Sequence, residues 1–238
     1  IDFDQWLRFS PVICYLSGAK ARVGFKTQGQ YRHYLYTTSV DHNKYRHEID
    51  CFIDIAKALG VAVNDKKVEL FPNSKGKDEA DQFLRSSGVD PSDMLIGIQP
   101  GCGKKGRQRA WPAENYIELI KKILNSYKTK IIITGSQEET GQAERIAQEF
   151  DNRVVSAAGH ISLDGLVHLL RRLKLFISGN NGIMHIAAAL DVPLIALHGP
   201  TDPKRWGPLS DKAVIIKSDM DCGPCLYLGF EYGCRDFK

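Results

Sequence analysis

The sequence predicts an α/β protein in which helices cover both faces of a parallel sheet. Short apolar runs of strand length recur between residues 92 and 216, and amphipathic runs of helix length separate them. The connections between these runs are short. Because parallel sheets of this kind bind ligands in the crevice at the carboxyl ends of their strands, the residues that follow each strand are the candidates for chemistry.

The first strand and helix of this region set the pattern for those that follow. Residues 94–98 form an apolar run that the Pro-Gly pair at 100–101 ends, which predicts a strand and then a turn. Trp111 and Pro112 predict the start of a helix, with proline at the first helical position. The remaining expected elements are strand 131–133, helix 138–150, strand 153–156, helix 163–173 capped by Ser162, strand 175–177, helix 182–190, strand 193–197 and strand 213–216.

The N-terminal third is less regular. Helices are expected over 6–17 and 48–59, with a strand over 22–25 between them. The chain opens on residues 1–4 with no Met, no basic segment and no apolar segment of a signal peptide. These residues resemble the inside of a folded domain, so we expect that sequence is missing upstream.

A polar stretch marks the expected domain boundary. Residues 73–78 contain Gly and Ser among charged side chains, which predicts a linker or an exposed loop. We therefore place the boundary near residues 72–92, with a first domain over 1–85 and a second over 86–238.

Composition narrows the class of protein. The 238 residues are 43% hydrophobic and 25% charged, which is ordinary for a soluble globular protein with a sizeable core. No apolar run approaches the ~18 residues that a membrane span needs. The 32 Lys and Arg against 28 Asp and Glu give a net charge of +4, which is too small to indicate nucleic-acid binding.

The cysteines favour a reducing compartment over a disulfide framework, because three of the six are scattered and no secretion signal is present. The other three cluster near the C-terminus, and the spelling Cys-Gly-Pro-Cys there occurs in redox proteins. A redox pair belongs at the start of a helix, a context that this segment lacks. A structural zinc site needs four ligands, so it would require a fourth from beyond Lys238 or from elsewhere in the chain. Structural thiols remain the simplest interpretation of the cluster, which consists of Cys222, Cys225 and Cys234.

The loop after the 94–98 strand combines glycines with cations. Gly101, Cys102 and Gly103 precede a basic run that ends at Arg109, just before the expected helix. Glycines let backbone N–H groups approach an anion, cations neutralise it, and the helix start adds a positive dipole end. The Gly-Lys-Ser/Thr ending of a Walker motif is absent. The segment is either a phosphate loop or a solvated basic surface loop.

A second candidate lies between the 175–177 strand and the helix that follows. Asn180, Asn181 and Gly182 suit a tight turn, and the N–H groups of the next helical turn then face the crevice. A diphosphate there would be bound by backbone and dipole together. His185 lies one turn further along and either points back at the anion or is an ordinary core or surface residue.

Two more segments follow strand ends. Glu139, in the segment 135–139, either binds ribose hydroxyls or stabilises the start of a helix. The Gly- and Pro-rich loop 198–208 is either a connector or part of a binding site.

The order and spacing of these motifs carry a resemblance, in segments 1–3, 18–25, 47–50, 100–112, 135–139, 180–190 and 199–208. Together they resemble glycosyltransferase family 9, the ADP-heptose:lipopolysaccharide heptosyltransferases. The chain departs from the family at Asn180-Asn181, where the family has Asp-Thr. The family's opening strand and Gly-Asp loop, which supply the expected catalytic base, have no counterpart before Ile1.

The resemblance implies a GT-B fold of two Rossmann-like, doubly wound parallel-sheet domains, the first incomplete. Residues 1–85 would be the remainder of the acceptor-side domain and 86–238 the donor domain. The implied reaction is inverting transfer of heptose from ADP-heptose to a lipopolysaccharide core or other glycan, with no metal and no cofactor. The resemblance further implies a cytoplasmic protein that can associate with the inner face of the membrane and has no nucleic-acid partner.

The resemblance also implies residue roles. Arg109, the backbone of 101–103 and the helix starting at Gly182 would stabilise the departing diphosphate, with help from His185, while Glu139 would hold the ribose. Asn180 and Asn181 would flank the phosphates, and the loop 157–161 would form the base pocket. With the catalytic base missing, we expect this chain to bind nucleotide and to transfer little or no sugar.

Three alternatives remain at this point. A sugar-nucleotide epimerase of the same fold would turn over the donor without an acceptor. A non-catalytic nucleotide- or glycan-binding module would not turn over the donor at all. Nucleic-acid binding through the basic loop 104–109 would depend steeply on salt concentration.

Overall fold

The computed structural model describes residues 1–5, 7–103 and 110–226. Arg109, the rest of the basic loop 104–109 and Cys234 lie outside the described residues. The chain forms two compact units. The first unit comprises Ile1–Lys67 with Lys204–Trp206, and the second comprises Val68–Pro203 with Gly207–Lys238.

The second unit is built on a six-stranded sheet in which every pair of neighbours is parallel. Its strands are β3 (Leu95–Gln99), β4 (Lys130–Ile133), β5 (Val154–Ser156), β6 (Leu175–Gly179), β7 (Leu194–His198) and β8 (Ala213–Lys217). Its helices are α3 (Ser74–Ser86), α4 (Ala113–Ser126), α5 (Thr140–Ala147), α6 (Leu163–Leu170) and α7 (Gly182–Ala189). The expected parallel sheet is therefore confirmed.

The strand order places a crevice at the centre of this sheet. The order is β5-β4-β3-β6-β7-β8, so the chain winds outward from β3 in one direction and then from β6 in the other. The direction of winding reverses between β3 and β6, where Gln99 lies opposite Ser178. The loops that leave these two strands therefore diverge and leave an open groove at the sheet edge, as in other doubly wound folds.

Alternating side chains of the strands fill two cores. Ile131 and Ile133 point to one face and pack with the apolar side of α4, while Ile132 points to the other face and packs with α6 and α7. All three isoleucines are fully buried. Because helices cover both faces of the sheet, the sequence of β4 is an unbroken apolar run rather than an alternation of apolar and polar residues.

Two sequence expectations change at helix starts. Pro112 is the N-cap of α4 rather than its first helical residue. The helix expected from 138 begins as a 3₁₀ turn over Gln137–Glu139 and continues as α5. Ser162 caps α6 as expected, since its side chain accepts a hydrogen bond from the N–H of Gly165.

The stretch 73–78, expected to be a linker or loop, is the first turn of α3. Asn73 caps this helix by accepting from the N–H of Gly76 at 2.9 Å. The helix then buries Ala80 and Leu84 in the core beneath α6. The polar residues that suggested a loop are the cap and the solvent side of a helix. Because α3 packs on α6, the compact units divide after Lys67 rather than near residue 85.

The first unit contains two parallel strands, β1 (Val23–Lys26) and β2 (Thr38–Asp41). Its helices are α1 (Phe9–Leu16), α2 (Glu48–Ala58) and the short α8 (Pro203–Trp206), of which residues 204–206 belong to this unit. Phe25 and Ile55 are fully buried at its core. Beside them the buried ion pair between Arg32 and Asp2, 2.7 Å long, takes a further hydrogen bond from Tyr36.

Across the described residues, the structure contains no helix with the length and apolar character needed to cross a membrane.

Candidate functional site

A cavity of about 410 Å³ opens at the carboxyl ends of β3, β4 and β6, where the winding of the sheet reverses. One end of this cavity is formed by the loop Gly101–Gly103 and the start of α7. The opposite wall is apolar and comes largely from the segment before α6 and from α6 itself. The apolar wall consists of Ala157, Ile161, Leu163 and Leu166.

Asn181 joins the two backbone segments at the first end of the cavity. Its Oδ1 accepts from the N–H of Met184 at 3.0 Å, which caps α7, and its Nδ2 donates to the carbonyl of Gly101 at 3.0 Å. Gly182 and Ile183, the first residues of α7, both line the cavity. The first N–H groups of a helix have no partner within the helix and carry its positive dipole end, so this end of the cavity suits an anion.

The loop Gly101–Gly103 depends on its glycines. Gly103 has a φ of +71°, a conformation that side chains rarely adopt. A Cβ on Gly101 would collide with the carboxylate of Glu139. Cys102 lies between the two glycines, half-buried, and also lines the cavity. The loop therefore approaches Glu139 at Gly101 more closely than a side chain would allow, and it takes a backbone conformation at Gly103 that favours glycine.

Glu139 holds the loop and caps a helix at the same time. Its Oε1 accepts from the N–H of Gly103 at 2.9 Å, and its Oε2 accepts from the N–H of Ser136 at 2.8 Å. Ser136 and Glu139 form a reciprocal capping box at the 3₁₀ turn. Burial raises the pKa of Glu139, but the hydrogen bonds from Ser136, Gly103 and Gln99 outweigh it, so the pKa lies below its usual value.

Glu139 thus stabilises the start of a helix, which is one of the two roles that the sequence predicted for it. It also lines the cavity. It is ionised at neutral pH, as an ordinary glutamate is, and the lowered pKa keeps it ionised to a more acidic pH. The side chain of Glu139 therefore connects the loop after β3 to the segment after β4. The sequence alone left two possible roles for this residue, ribose binding and stabilisation of a helix start.

Most of the sequence-predicted site residues line this cavity. They are Gly101, Cys102, Gly103, Glu139, Asn181 and Gly182. Asn180 and His185 are not among the described residues that line this cavity. Asn180 instead lies with its Nδ2 3.3 Å from Nδ1 of His198, and His185 is half-buried on α7. In the expected base pocket 157–161, Ala157 and Ile161 line the cavity.

His198 is a residue to which sequence reasoning gave no role. It ends β7, is 2% exposed, and its Nδ1 lies 3.2 Å from Oγ1 of Thr201 as well as beside Asn180. Burial lowers its pKa, against a backbone hydrogen bond to Thr201 and the charge of Asp202, so the ring is neutral at neutral pH. The signal in the sequence was its position at the carboxyl end of a strand beside the 180–182 turn.

A second cavity of about 600 Å³ lies along β6, β7 and β8 and is mostly apolar. Trp111, Tyr116 and His198 contribute to its wall, together with the thiols Cys222 and Cys225. Both cysteines are exposed, and neither is in a disulfide bond with another described residue. Within the part of the chain that the structure describes, which ends at residue 226, no helix begins beside them to activate a thiol, so this part gives no support to a redox role.

Among the described residues, one group has the donor atoms of a metal site. In the first unit, the ligand atoms of His42, Glu48 and Cys51 lie within 4.8 Å of one another. Arg205 already occupies this group, since its Nη2 lies 2.7 Å from Glu48 and donates to Gln5 at 2.8 Å. Burial, and then the charge of Arg205, lower the pKa of His42 to about 4. A metal ion would have to compete with the guanidinium, so the group is a buried ion-pair network.

Comparison with known proteins matches residues 5–234 to the family described as glycosyltransferase family 9 (heptosyltransferase). The chain belongs to glycosyltransferase family 9. The match spans both compact units, and it agrees with the order of motifs from residue 18 to residue 208.

Within family 9, the chain is 36% identical over 139 residues to lipooligosaccharide heptosyltransferase 2 of Haemophilus influenzae, covering 57% of this chain and 40% of the relative. It is 28% identical over 215 residues to lipopolysaccharide heptosyltransferase 2 of Salmonella typhimurium, covering 87% of this chain and 62% of the relative. The chain thus spans about half the length of these curated relatives.

The fold agrees with a solved family structure. The E. coli ADP-heptose LPS heptosyltransferase II has a TM-score of 0.71 and 23% identity to this chain, covering 91% of this chain and 67% of that one. The expected GT-B type α/β fold is therefore confirmed.

Proposed function

We propose that this chain carries the donor-binding site of a heptosyltransferase that transfers heptose from ADP-heptose to a lipopolysaccharide core or other glycan acceptor. The observation that carries the proposal is the meeting of a glycine loop and a helix N-terminus at the point where the sheet reverses, joined by Asn181. The names of the family 9 relatives supply the sugar and the acceptor class.

The geometry fits a nucleoside diphosphate in one orientation. The diphosphate lies at the start of α7 and the loop Gly101–Gly103, where backbone N–H groups and the helix dipole face it. The base lies against the apolar wall that Ile161 and Leu166 help to form. The cavity, about 410 Å³, is within the range of ordinary small-molecule sites.

Glu139 lies beside the loop Gly101–Gly103 and is the proposed partner of the ribose. Its Oε2 accepts three hydrogen bonds from the protein, whereas its Oε1 accepts one, so a second acceptor position remains on Oε1. A ribose hydroxyl is a donor that suits this position. The charge on the carboxylate is kept by the lowered pKa.

The chemical role of this half of the site is to stabilise the leaving group. When the glycosidic bond to the sugar breaks, negative charge develops on the departing diphosphate, and preorganised N–H groups stabilise that charge without reorganisation. Arg109 is the proposed cation at the same phosphates, and Asn181 and Gly182 are the proposed donor contacts at the start of α7. We propose that transfer inverts the sugar and uses these protein groups in place of a metal ion.

The proposed setting is the cytoplasm at the inner face of the membrane, where a glycolipid acceptor is available. In this assignment, residues on the acceptor side come from the first unit and those on the donor side come from the second.

A thermal-shift and calorimetry panel with ADP, UDP, GDP and their sugars tests the proposal. We expect ADP and ADP-heptose to raise the melting temperature and to bind more tightly than the uridine and guanosine compounds. The stabilisation follows RT ln(1 + [L]/Kd), or about 2.7 kcal/mol at a hundredfold excess over Kd. A selective response to UDP or GDP would contradict an adenosine donor, and no response to any nucleotide would contradict a donor site.

A further inference from the structure

Helix α3, whose first turn the sequence predicted to be a linker or a loop, approaches α6 unusually closely. A Cβ on Gly76 of α3 would lie 2.6 Å from the backbone of Asp164, and a Cβ on Gly165 of α6 would lie 2.6 Å from the carboxylate of Glu79. Each helix therefore presents a glycine to the other. The absence of two side chains brings polar groups of α3 within hydrogen-bond distance of the start of α6.

Glu79 uses this approach to hold the N-cap of α6. Its Oε1 accepts from the N–H of Ser162 at 2.9 Å, and its Oε2 accepts from the hydroxyl of the same residue. The Ser162 oxygen in turn accepts from the N–H of Gly165 at 3.1 Å. One carboxylate thus fixes both the backbone and the side chain of the capping residue.

Asn73 makes a second connection beside the first. Its backbone N–H and its Nδ2 both donate to the carboxylate of Asp164, and its carbonyl lies 3.1 Å from Nε2 of His168. The start of α6 is therefore held to α3 at two successive points.

The segment held in this way forms the apolar wall of the cavity. Ile161, Ser162 and Leu163 line the cavity in succession, and Leu166 follows one turn later. No residue of α3 is among the described lining residues, so α3 supports the wall from behind. The opposite end of the cavity, at Gly101–Gly103 and α7, has no contact with Glu79 in the hydrogen bonds of the described residues.

We infer that Glu79 is a positioning residue that fixes the base-binding wall and thereby sets affinity and selectivity for the nucleobase. The inference rests on the proposed function, since it takes the occupant of the cavity to be a nucleoside diphosphate. A flat base gains most from walls already held at the correct separation. Without Glu79, the N–H of Ser162 loses its partner, Ile161 and Leu163 lose their fixed position, and binding must include the cost of ordering them.

The test compares ADP with inorganic diphosphate, because diphosphate occupies only the α7 end of the cavity. In the full chain, we expect Glu79→Ala to raise the Kd for ADP about tenfold, consistent with loss of hydrogen bonds to a charged group, and to leave the Kd for diphosphate within about twofold. The ratio of ADP affinity to GDP affinity falls as well. Glu79→Gln keeps an acceptor for the N–H of Ser162 and gives an effect of about threefold.

Asp78→Asn is the matched control, since it removes an exposed carboxylate from the same helix and leaves both affinities unchanged. Circular dichroism and melting temperature establish that each variant is folded, and Glu79→Gln serves if Glu79→Ala is not. Equal losses for ADP and diphosphate, or no loss for either, would overturn the inference while wild-type binding of ADP upholds the proposed function. Failure of the wild-type chain to bind ADP would overturn both.

Discussion

The two ends of the cavity are built in different ways. At the proposed diphosphate end, the surface is largely backbone, and glycine is required by the close approach of Glu139 at Gly101 and by the positive φ of Gly103. At the proposed base end, the surface is apolar side chains, and we infer that Glu79, on a helix behind them, sets their position. A backbone site is therefore sensitive to an added atom within it, whereas a side-chain wall is sensitive to residues that do not touch the ligand.

The largest expected effect is at the diphosphate end. Gly101→Ala places a methyl group against the carboxylate of Glu139, so either the carboxylate or the loop must shift and the hydrogen bond from Gly103 to Glu139 is lost. We expect ADP and diphosphate affinity to fall together by about 100-fold, or roughly 2.7 kcal/mol, measured by calorimetry. Gly141→Ala is the control, because a Cβ there meets open space within α5, and binding is retained with equal or higher stability. Retained diphosphate binding in Gly101→Ala would show that the loop does not hold the phosphates.

Asn181 tests whether the two backbone segments act as one. Asn181→Ala removes the cap of α7 and the bond to the carbonyl of Gly101. We expect about 1 kcal/mol lower stability in denaturant unfolding, as for other lost caps, and about tenfold weaker binding of both ADP and diphosphate. Asn181→Asp keeps the cap acceptor and restores the stability, but it loses the donor to Gly101 and adds negative charge, so affinity stays low. Normal affinity in Asn181→Asp would contradict the linkage.

Glu139 contacts the loop at the proposed diphosphate end and is also the proposed partner of the ribose, so its substitution is expected to affect ADP more than diphosphate. Glu139→Gln removes the charge that we assign to the ribose, and the Kd for ADP rises about fivefold while that for diphosphate changes less than twofold. Equal changes for the two ligands would place Glu139 with the phosphate loop alone.

The same carboxylate gives a pH dependence of stability. Because its folded-state pKa is lowered, its contribution is complete above the unfolded value of 4.5 and is lost as the pH falls through the folded pKa. The free energy of unfolding of the wild type should therefore decline more steeply below pH 4.5 than that of Glu139→Gln. Parallel curves for the two proteins would contradict the lowered pKa.

The smallest expected effect on ADP affinity comes from shortening a single side chain of the apolar wall. Ile161→Ala removes part of the apolar surface that we assign to the base, and we expect a threefold rise in the Kd for ADP, about 0.7 kcal/mol, with diphosphate binding unchanged. Leu59→Ala, a partly exposed leucine of the first unit, is the control and should leave both affinities unchanged. A change in diphosphate binding by Ile161→Ala would show that the two ends are not independent.

The sequence predicted the sheet of the second unit and the loops that form its crevice. Each strand is a local apolar run, and each of the turns at 100–101 and 180–182 is marked by residues with special backbone preferences, so neither needs knowledge of distant contacts. The cap at Ser162 was predictable for the same reason. The sequence did not predict α3, because a helix whose first turn is Asn-Ser-Lys-Gly-Lys-Asp has the composition of a loop until its packing partner is known.

The sequence by itself determined which segments are strands and helices, and the order in which glycine loops and helix starts follow them. Only the tertiary structure decided that Glu139 reaches Gly103 across 36 residues, and that Glu79 holds Ser162 across 83. It also decided that Asn180 faces His198 rather than the cavity wall. The physical reason is that periodicity and turn preferences act between near neighbours in the chain. The position of a carboxylate or an amide depends instead on close approach between elements, which a parallel sheet brings together from distant parts of the sequence.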